Sequence, residues 1–369
     1  MLAFVLGGGS SRGALQVGAL NALAEWNIFP DMVVGCSIGA INAVTLADNP
    51  SSEFLDELER LYIETKFGDV FTGGPEVLSN VFKEEGIYSN QGLREILEEN
   101  ISSRRFGDLR IPAYTIATDL ETGKEVVFGD DPDDSVIEGT LSSAALLPLY
   151  KPQEVNGRLL GDGSFNITLP IEVAIERGAT TIVAFNIISK LMPTDMLNSP
   201  IKLFLHSIDL LLHSQVNLMV DKMTVPEGVT LHVVNLESPE YVPLYEMNKM
   251  EGMIQAGHYA IERKLVNELS EFAQKYGEET SYKEKGFVIL NPVSGDGDPS
   301  LIREPLERLL EPEAFRIYET VESDSPTQLA RHAAEVGYGW VAVAGGDGTV
   351  SAVADGLIGT DTPLYIIPA

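Results

Sequence analysis

Three times in this chain a short apolar run stops at a cluster of small residues and a helical pattern begins at once. Leu2–Leu6 runs into Gly7-Gly8-Gly9 ahead of a helix over Ala14–Trp26. Met32–Gly35 turns sharply through Cys36–Gly39 into Ala40–Ala47. Trp340–Ala344 ends at Gly345-Gly346, ahead of Val350–Leu357. Strand, tight turn and helix in close succession build parallel sheets, because a parallel neighbour needs a crossover and a helix supplies it. Further runs at Ala113–Thr118, Lys124–Phe128, Thr181–Asn186 and Val229–Asn235 read as strands. The fold class expected is α/β, with a mostly parallel central sheet and helices on both faces.

With 369 residues the chain is long enough for two cores. The pattern breaks at Glu268–Lys285, which is polar, rich in charge and poor in apolar residues after Phe272. It reads as the end of a helix plus a linker. We therefore expect a first domain over residues 1–270, a linker over 271–285 and a second domain over 286–369. In the second, Gly286–Leu290, Phe315–Thr320, Trp340–Ala344 and Leu364–Ile367 read as strands. Leu301–Leu310, Pro326–Val336 and Val350–Leu357 read as helices.

The formal charge is -30, from 25 basic and 55 acidic residues. Phosphate backbones are bound by clustered Lys and Arg, so nucleic acid is not an expected partner. Loose adsorption to an anionic membrane is disfavoured too, and any lipid contact should be local and apolar. Cys36 is the one cysteine, which rules out an intrachain disulfide and suits a reducing compartment. Met1–Leu6 lacks the basic lead-in of a signal peptide. The apolar stretch nearest a membrane span, Ile201–Val220, is interrupted by Lys202, His206, Asp209 and His213. The expectation is a cytoplasmic protein, peripheral at a membrane at most.

Gly35-Cys36-Ser37-Ile38-Gly39 fits G-x-S-x-G between a strand and a helix. A serine on so tight a turn needs strained dihedrals, and the glycines two before and two after remove the clashes. Its hydroxyl would stand above the sheet, near a helix N-terminus that favours developing negative charge. Gly7-Gly8-Gly9-Ser10-Ser11-Arg12-Gly13 is a second strand–loop–helix junction, whose backbone amides can converge on an oxyanion. A dinucleotide loop is its rival, but Arg12 stands where G-x-G-x-x-G wants its last glycine, and the second strand ends in Cys36 rather than an acid for a ribose. Asp162-Gly163-Ser164 supplies a carboxylate in a tight turn, able to take the proton of Ser37.

In this order the three elements resemble the patatin-like phospholipases. Ala117-Thr118-Asp119-Leu120-Glu121-Thr122-Gly123 and Ser142-Ser143-Ala144-Ala145 leading to Pro148 look like that family too. The resemblance covers about residues 1–270. It implies a three-layer α/β/α domain and a Ser–Asp dyad without histidine, formed by Ser37 and Asp162. It implies oxyanion stabilisation by the Gly8, Gly9 and Ser10 amides, with Arg12 steadying the loop or neutralising charge. Gly35 and Gly39 frame the nucleophile. Two positions depart from the pattern: Ser10 stands for the third loop glycine, and Ser164 for the Gly or Ala after Asp-Gly. The implied reaction is hydrolysis of a phospholipid or lysophospholipid ester through an acyl-enzyme, at transient contact with a membrane surface and without a cofactor.

The five histidines are His206, His213, His232, His258 and His332. His206 and His213 share a helical stripe with Lys202, Asp209 and Asn217. That stripe reads as the solvent edge of a largely buried helix; the wide apolar face could instead border an acyl pocket or touch lipid. His258 reads as structural. No spacing of His, Cys and acid suggests a metal.

Gly345-Gly346-Asp347-Gly348-Thr349 follows a strand and opens a helix, a turn that can offer amides to phosphate while Asp347 orients a metal or a hydroxyl. Asn291-Pro292-Val293-Ser294-Gly295 follows another strand. The pair resembles the nucleotide-binding part of diacylglycerol kinases and related lipid kinases, which implies ATP and magnesium for a complete domain. Asn291, Gly295 and Gly345–Thr349 are the implied contacts. Kinases of this type continue with a further Gly-rich loop and a β-rich domain. The expectation is therefore an incomplete, Rossmann-like kinase part without turnover, in a fragment of a longer hydrolase–kinase fusion. The rival reading is a nucleotide-binding lipid kinase fragment carrying a regulatory, catalytically weak patatin-like module.

Overall fold

The computed structural model describes residues 1–70, 88–188, 190–238, 241–243, 247–267, 275–276, 284–294, 300–309, 314–320 and 324–368. The chain divides into two compact units, Met1–Ile261 and Glu262–Ala369. Most of the segment expected to be a linker, 271–285, lies outside the described residues.

The first unit is built on an eight-stranded sheet. Its strands are β1 (Leu2–Leu6), β2 (Met32–Cys36), β3 (Ala113–Asp119), β4 (Glu125–Phe128), β5 (Gln153–Val155), β6 (Arg158–Asp162), β7 (Thr181–Ile188) and β8 (Thr230–Glu237). The order is β5-β6-β3-β2-β1-β7-β8, with β4 also paired to β3. The five strands from β3 to β8 are parallel, and β4, β5 and β6 add on antiparallel. Strands β1 and β2 are buried at every position. Both faces of these central strands are covered, which is why they read as continuous apolar runs rather than alternating ones. Ala3 and Val5 of β1, Met32 and Val34 of β2 and Ile182 and Ala184 of β7 share one core with Ile171 and Val173.

The helices used below are α1 (Ala14–Glu25), α2 (Ile38–Asp48), α3 (Ser52–Glu64), α4 (Gln91–Asn100), α5 (Val136–Ser143), α6 (Ile171–Glu176), α7 (Pro200–Lys222) and α8 (Met250–Asn267). Helix α2 starts immediately after Ser37, two residues before the sequence pattern suggests. Strands β5 and β6 form a hairpin that no apolar alternation announces. Its signal is Asn156-Gly157, where both residues take a positive φ, as a two-residue hairpin turn requires.

The stripe on α7 departs from the expectation at Asp209, while Asn217 is exposed and Lys202, His206 and His213 are partly buried. Asp209 is buried, whereas Leu203, Phe204, Leu210, Leu211 and Leu218 are exposed. The helix turns Asp209 inward because Arg12 waits there for a counter-charge. The stretch Lys202–Val220 is also long and apolar enough to cross a membrane by length and composition, despite its interruptions.

The second unit carries a four-stranded, all-parallel sheet ordered β10-β9-β11-β12: β9 (Gly286–Leu290), β10 (Phe315–Glu319), β11 (Trp340–Ala344) and β12 (Leu364–Ile367). Three helices join them: α9 (Ser300–Leu309), α10 (Pro326–Val336) and α11 (Asp347–Leu357). Ser325 caps α10 by accepting from the Gln328 amide, and Gly337 ends it in a left-handed conformation.

Helices α1 and α8 approach backbone to backbone. A Cβ on Gly18 would run into the Ile254 carbonyl, and one on Gly257 into the Leu15 carbonyl. Neither obstacle is a side chain that can rotate away. We expect Gly18→Ala to destabilise the first unit by about 1–3 kcal/mol, the usual cost of overpacking. A urea midpoint equal to that of the wild type would show that the helices can separate without penalty.

Candidate active site

Ser37 sits between β2 and α2 with φ 56 and ψ -125. This is a sparsely populated conformation for a residue with a side chain, costing about 1–3 kcal/mol. The flanking glycines are obligatory. A Cβ on Gly39 would strike the Leu6 carbonyl, and one on Gly35 would strike the Gly39 carbonyl. The turn is also held from outside, because the Ser37 amide donates to Ser143 Oγ at 3.0 Å.

The Ser37 hydroxyl donates to Asp162 Oδ2 at 2.6 Å. The other carboxylate oxygen, Oδ1, accepts the Ser164 amide at 2.8 Å. Asp162 ends β6, where its own amide donates to the Ala145 carbonyl and its carbonyl accepts from Thr118 Oγ1 at 2.9 Å. The two auxiliary motifs thereby acquire physical roles. Ser142–Ala145 holds both ends of the Ser37–Asp162 pair, and Thr118 fixes β6 against β3. Within the other motif, Asp119 Oδ1 accepts the Glu121 and Thr122 amides and closes the turn. Sequence reasoning placed Ser143 in a family-like stretch but gave it no role, because a serine on a helix does not announce its partner.

Asp162 is fully buried. Burial pushes its carboxyl up to about 6, against the opposing pull of the hydrogen bonds from Ser37 and Ser164. Cys36 is buried beside it. Burial first, and the Asp162 charge second, push the thiol well above its usual range and keep it protonated.

The Gly-rich loop lies against this pair. A Cβ on Gly8 would come within 2.5 Å of Ser164 Oγ and 3.3 Å of Ser37 Cβ. All three sequence elements thus meet at one point. Ser10 has φ 54, in the left-handed region, where the glycine it replaces would be strain-free. One assignment changes. The Gly8 amide already donates to the Thr168 carbonyl at 3.0 Å, so it is not a donor to an oxyanion in this arrangement. Of the two roles implied for Arg12, its contacts fit steadying the loop. Its Nη1 and Nη2 pair with both Asp209 oxygens at 2.9 and 2.8 Å, and its Nε donates to the Val242 carbonyl. Both residues of the ion pair are buried. Removing one partner of such a pair typically costs about 3–5 kcal/mol, because the other charge is stranded. Arg12 is therefore a clamp for the loop.

Two cavities meet at Ser37. The larger, about 1000 Å³ and open to solvent, is walled largely by apolar side chains including Ile38, Leu58, Leu61, Leu97 and Leu149. The smaller, about 580 Å³, is lined by Asp162, Asn186, Asp209, His213 and Asn217 among others. His213 thus borders the site, but Ser37 reaches Asp162 directly. His258 bonds Glu25 at 2.9 Å and ties α8 to α1, in keeping with a structural role.

In the second unit the C-terminal ends of β9 and β11 lie side by side. Asn291 Nδ2 donates to Thr349 Oγ1 at 3.0 Å, joining the two motifs. The Asn291 amide donates to the Ala344 carbonyl, and Asn291 Oδ1 accepts the Val293 amide at 3.1 Å. Gly346 caps α11, so Asp347, Gly348 and Thr349 form its first turn rather than a free loop. Gly345 is required by contact, since a Cβ there would lie 2.8 Å from Thr349 Cβ, while Gly346 and Gly348 face open space. Gly295 lies outside the described residues.

Comparison with known proteins follows the same division. Residues 4–175 match the family model for patatin-like phospholipase, and residues 285–369 that for the diacylglycerol kinase catalytic domain. Patatin-like phospholipase domain-containing protein 7 of Rattus norvegicus is 31% identical over 198 residues, covering 53% of this chain and 14% of that protein. Neuropathy target esterase sws of Drosophila melanogaster is 26% identical over 206 residues, covering 53% and 13%. The chain thus spans about one seventh of the length of these relatives. A crystal structure of VipD from Legionella pneumophila aligns over 90% of this chain and 83% of its own, at 13% identity and a TM-score of 0.40, a likeness too slight to extend the assignment. Residues 4–175 are thus similar to the patatin-like phospholipases, and residues 285–369 to the diacylglycerol kinase catalytic domain.

Proposed function

We propose that the first unit is a serine acyl hydrolase acting on phospholipid or lysophospholipid esters through a Ser37–Asp162 dyad. The observation that carries this reading is the 2.6 Å hydrogen bond between the two side chains at the mouth of a large apolar cavity. The matched family and the relatives' names point to the same chemistry.

In this reading the acyl chain lies in the apolar cavity and presents its ester carbonyl to Ser37 Oγ. Asp162 Oδ2 takes the hydroxyl proton as the oxygen attacks, and the C–O bond of the tetrahedral adduct forms. The Gly9 and Ser10 amides stabilise the oxyanion, with the helix N-terminus at Ile38 adding to the favourable field. Asp162 returns the proton to the leaving alcohol as its bond to carbon breaks. Water then repeats the sequence on the acyl-enzyme. The cycle draws only on these side chains, backbone amides and water.

The residues of the second unit fit a nucleoside triphosphate. The α11 N-terminus, with Gly346 and Gly348 open to approach, would receive phosphate, and Asp347 would face magnesium. When bound, ATP supplies a transferable phosphoryl group. Asn291 and Thr349 hold the two turns in register. Asp347→Ala should weaken ATP binding at least tenfold in the presence of magnesium, measured by calorimetry. Unchanged affinity would place the nucleotide elsewhere.

Ser37→Ala should lower turnover of a nitrophenyl ester on the order of a thousandfold or more, since no other group can attack. Near-wild-type turnover by the folded variant would remove the assignment.

Asp162→Asn should be nearly as damaging, while substitution of His213 should cost less than tenfold. For the wild type, kcat/KM should fall below pH about 6, as Asp162 takes up a proton and can no longer act as base. The same raised pKa bears on stability. The folded state holds the proton more tightly than the unfolded one, so burying the ionised form weakens the fold above pH about 6. The neutral Asn should therefore raise the melting temperature above that pH, with the gain vanishing toward pH about 4, near the unperturbed carboxyl pKa. An acid limb that survives in the residual activity of the variant would assign the titration to another group.

A further inference from the structure

We propose that α7 is the docking helix for a lipid surface, and that it couples docking to the order of both loops that carry the reaction. The inference rests on the acyl-hydrolase reading above and adds to it the element that meets the lipid. Leu203, Phe204, Leu210, Leu211 and Leu218 are each more than 40% exposed, and Leu211 reaches 70%. They recur at about seven-residue intervals, two helical turns, and so form one stripe. An uncovered apolar surface of this kind marks an interaction site.

The helix is long and apolar enough to span a bilayer, but its other face is committed to the protein. Val216 belongs to the core cluster, and Asp209 is buried against Arg12. A helix with one face packed and charged groups satisfied inward lies along an interface rather than across it.

The occupant follows from charge and from continuity with the site. The described exposed side chains between Lys202 and Lys222 carry no formal charge, although the whole chain holds 55 acidic residues against 25 basic ones. A lysine stands at each end of the stripe, where an embedded helix meets lipid phosphates. The chain's net charge of -30 disfavours an anionic bilayer, so the surface it fits is zwitterionic. The inner side of the same helix lines the cavity that contains Ser37 and Asp162, so a lipid leaving the surface enters beside it.

The coupling is read from the inner contacts. Asp209 holds Arg12 of the Gly-rich loop. Gln215 Oε1 accepts the Thr168 amide at 3.0 Å and the Thr168 hydroxyl at 2.5 Å, and its Nε2 donates to the Asn166 carbonyl at 2.8 Å. Thr168 in turn accepts the Gly8 amide. One helix thus restrains the oxyanion loop and the segment after Asp162. Gln215 is a positioning residue, acting through Thr168.

The test uses the full chain, phosphatidylcholine vesicles and two substrates, a soluble short-chain nitrophenyl ester and vesicle-borne phospholipid. The wild type should sediment with vesicles, and L211E/L218E should bind at least tenfold more weakly. That variant should lose vesicle hydrolysis in proportion while soluble-ester turnover stays within twofold. Ether-linked vesicles, which cannot be hydrolysed, should raise soluble-ester turnover of the wild type severalfold. Gln215→Ala should bind vesicles normally yet show a smaller rise. Vesicle binding by L211E/L218E equal to wild type overturns the docking assignment. So does a wild-type dimer that this substitution dissociates, because a second copy then covers the stripe. A wild type that binds vesicles without any rise overturns the coupling alone. Failure to hydrolyse either ester refutes the Ser37–Asp162 reading and the coupling with it, while sedimentation still decides the docking.

Discussion

The hydrogen bond from Ser37 to Asp162 asks two strand ends, 125 residues apart in sequence, to agree within a few tenths of an ångström. Most of the first unit can be understood as the means of that agreement. Strand β2 delivers Ser37 through a turn that only glycines at 35 and 39 permit. Strand β6 delivers Asp162 antiparallel to β3, which is itself parallel to β2. Ser143 and Ala145, two residues apart across the end of α5, then grip the amides of both partners. The carboxylate is buried at a cost that hydrogen bonds offset only in part, and its raised pKa records the remainder. A site kept under such strain is tolerable because the core around it, continuous across β1, β2 and β7, is closely packed and does not depend on the site.

Much of this was legible in the sequence. G-x-S-x-G, the glycine run and Asp-Gly each mark a place where the backbone must do something that few residues allow, so steric necessity writes them visibly. The same holds for the second unit, where Pro326–Val336, Trp340–Ala344 and Leu364–Ile367 fall where their apolar pattern puts them. What was not legible depends on partners distant in sequence. Ser143 stood in a recognisable stretch, but nothing near it told that its hydroxyl would receive the Ser37 amide. The hairpin around Asn156-Gly157 was overlooked because its strands are short and, apart from Leu160, mostly polar or exposed. The Gly8 amide was counted as available because nothing local tells that Thr168 would claim it.

The stripe on α7 is the most instructive miss. Amphipathicity alone says that one side of a helix is polar, and solvent is its ordinary destination. Here Asp209 is drawn inward by an arginine 197 residues away. A charged residue is buried when a matching charge is buried already, and no window of sequence around α7 contains that information. Leu203, Phe204, Leu210, Leu211 and Leu218 are then left on the outside.

The Arg12–Asp209 pair has a consequence in time as well as in space. Arg12 leaves the ribosome 197 residues before its counter-charge on α7. Val242, whose carbonyl receives the same guanidinium, comes later still. Until then the Arg12 guanidinium lacks the carboxylate that pairs with it in the folded chain. The strands β1, β2, β3 and β6 can assemble earlier, since all of them precede residue 163. The clamp on the glycine loop closes only after both Ser37 and Asp162 have been made.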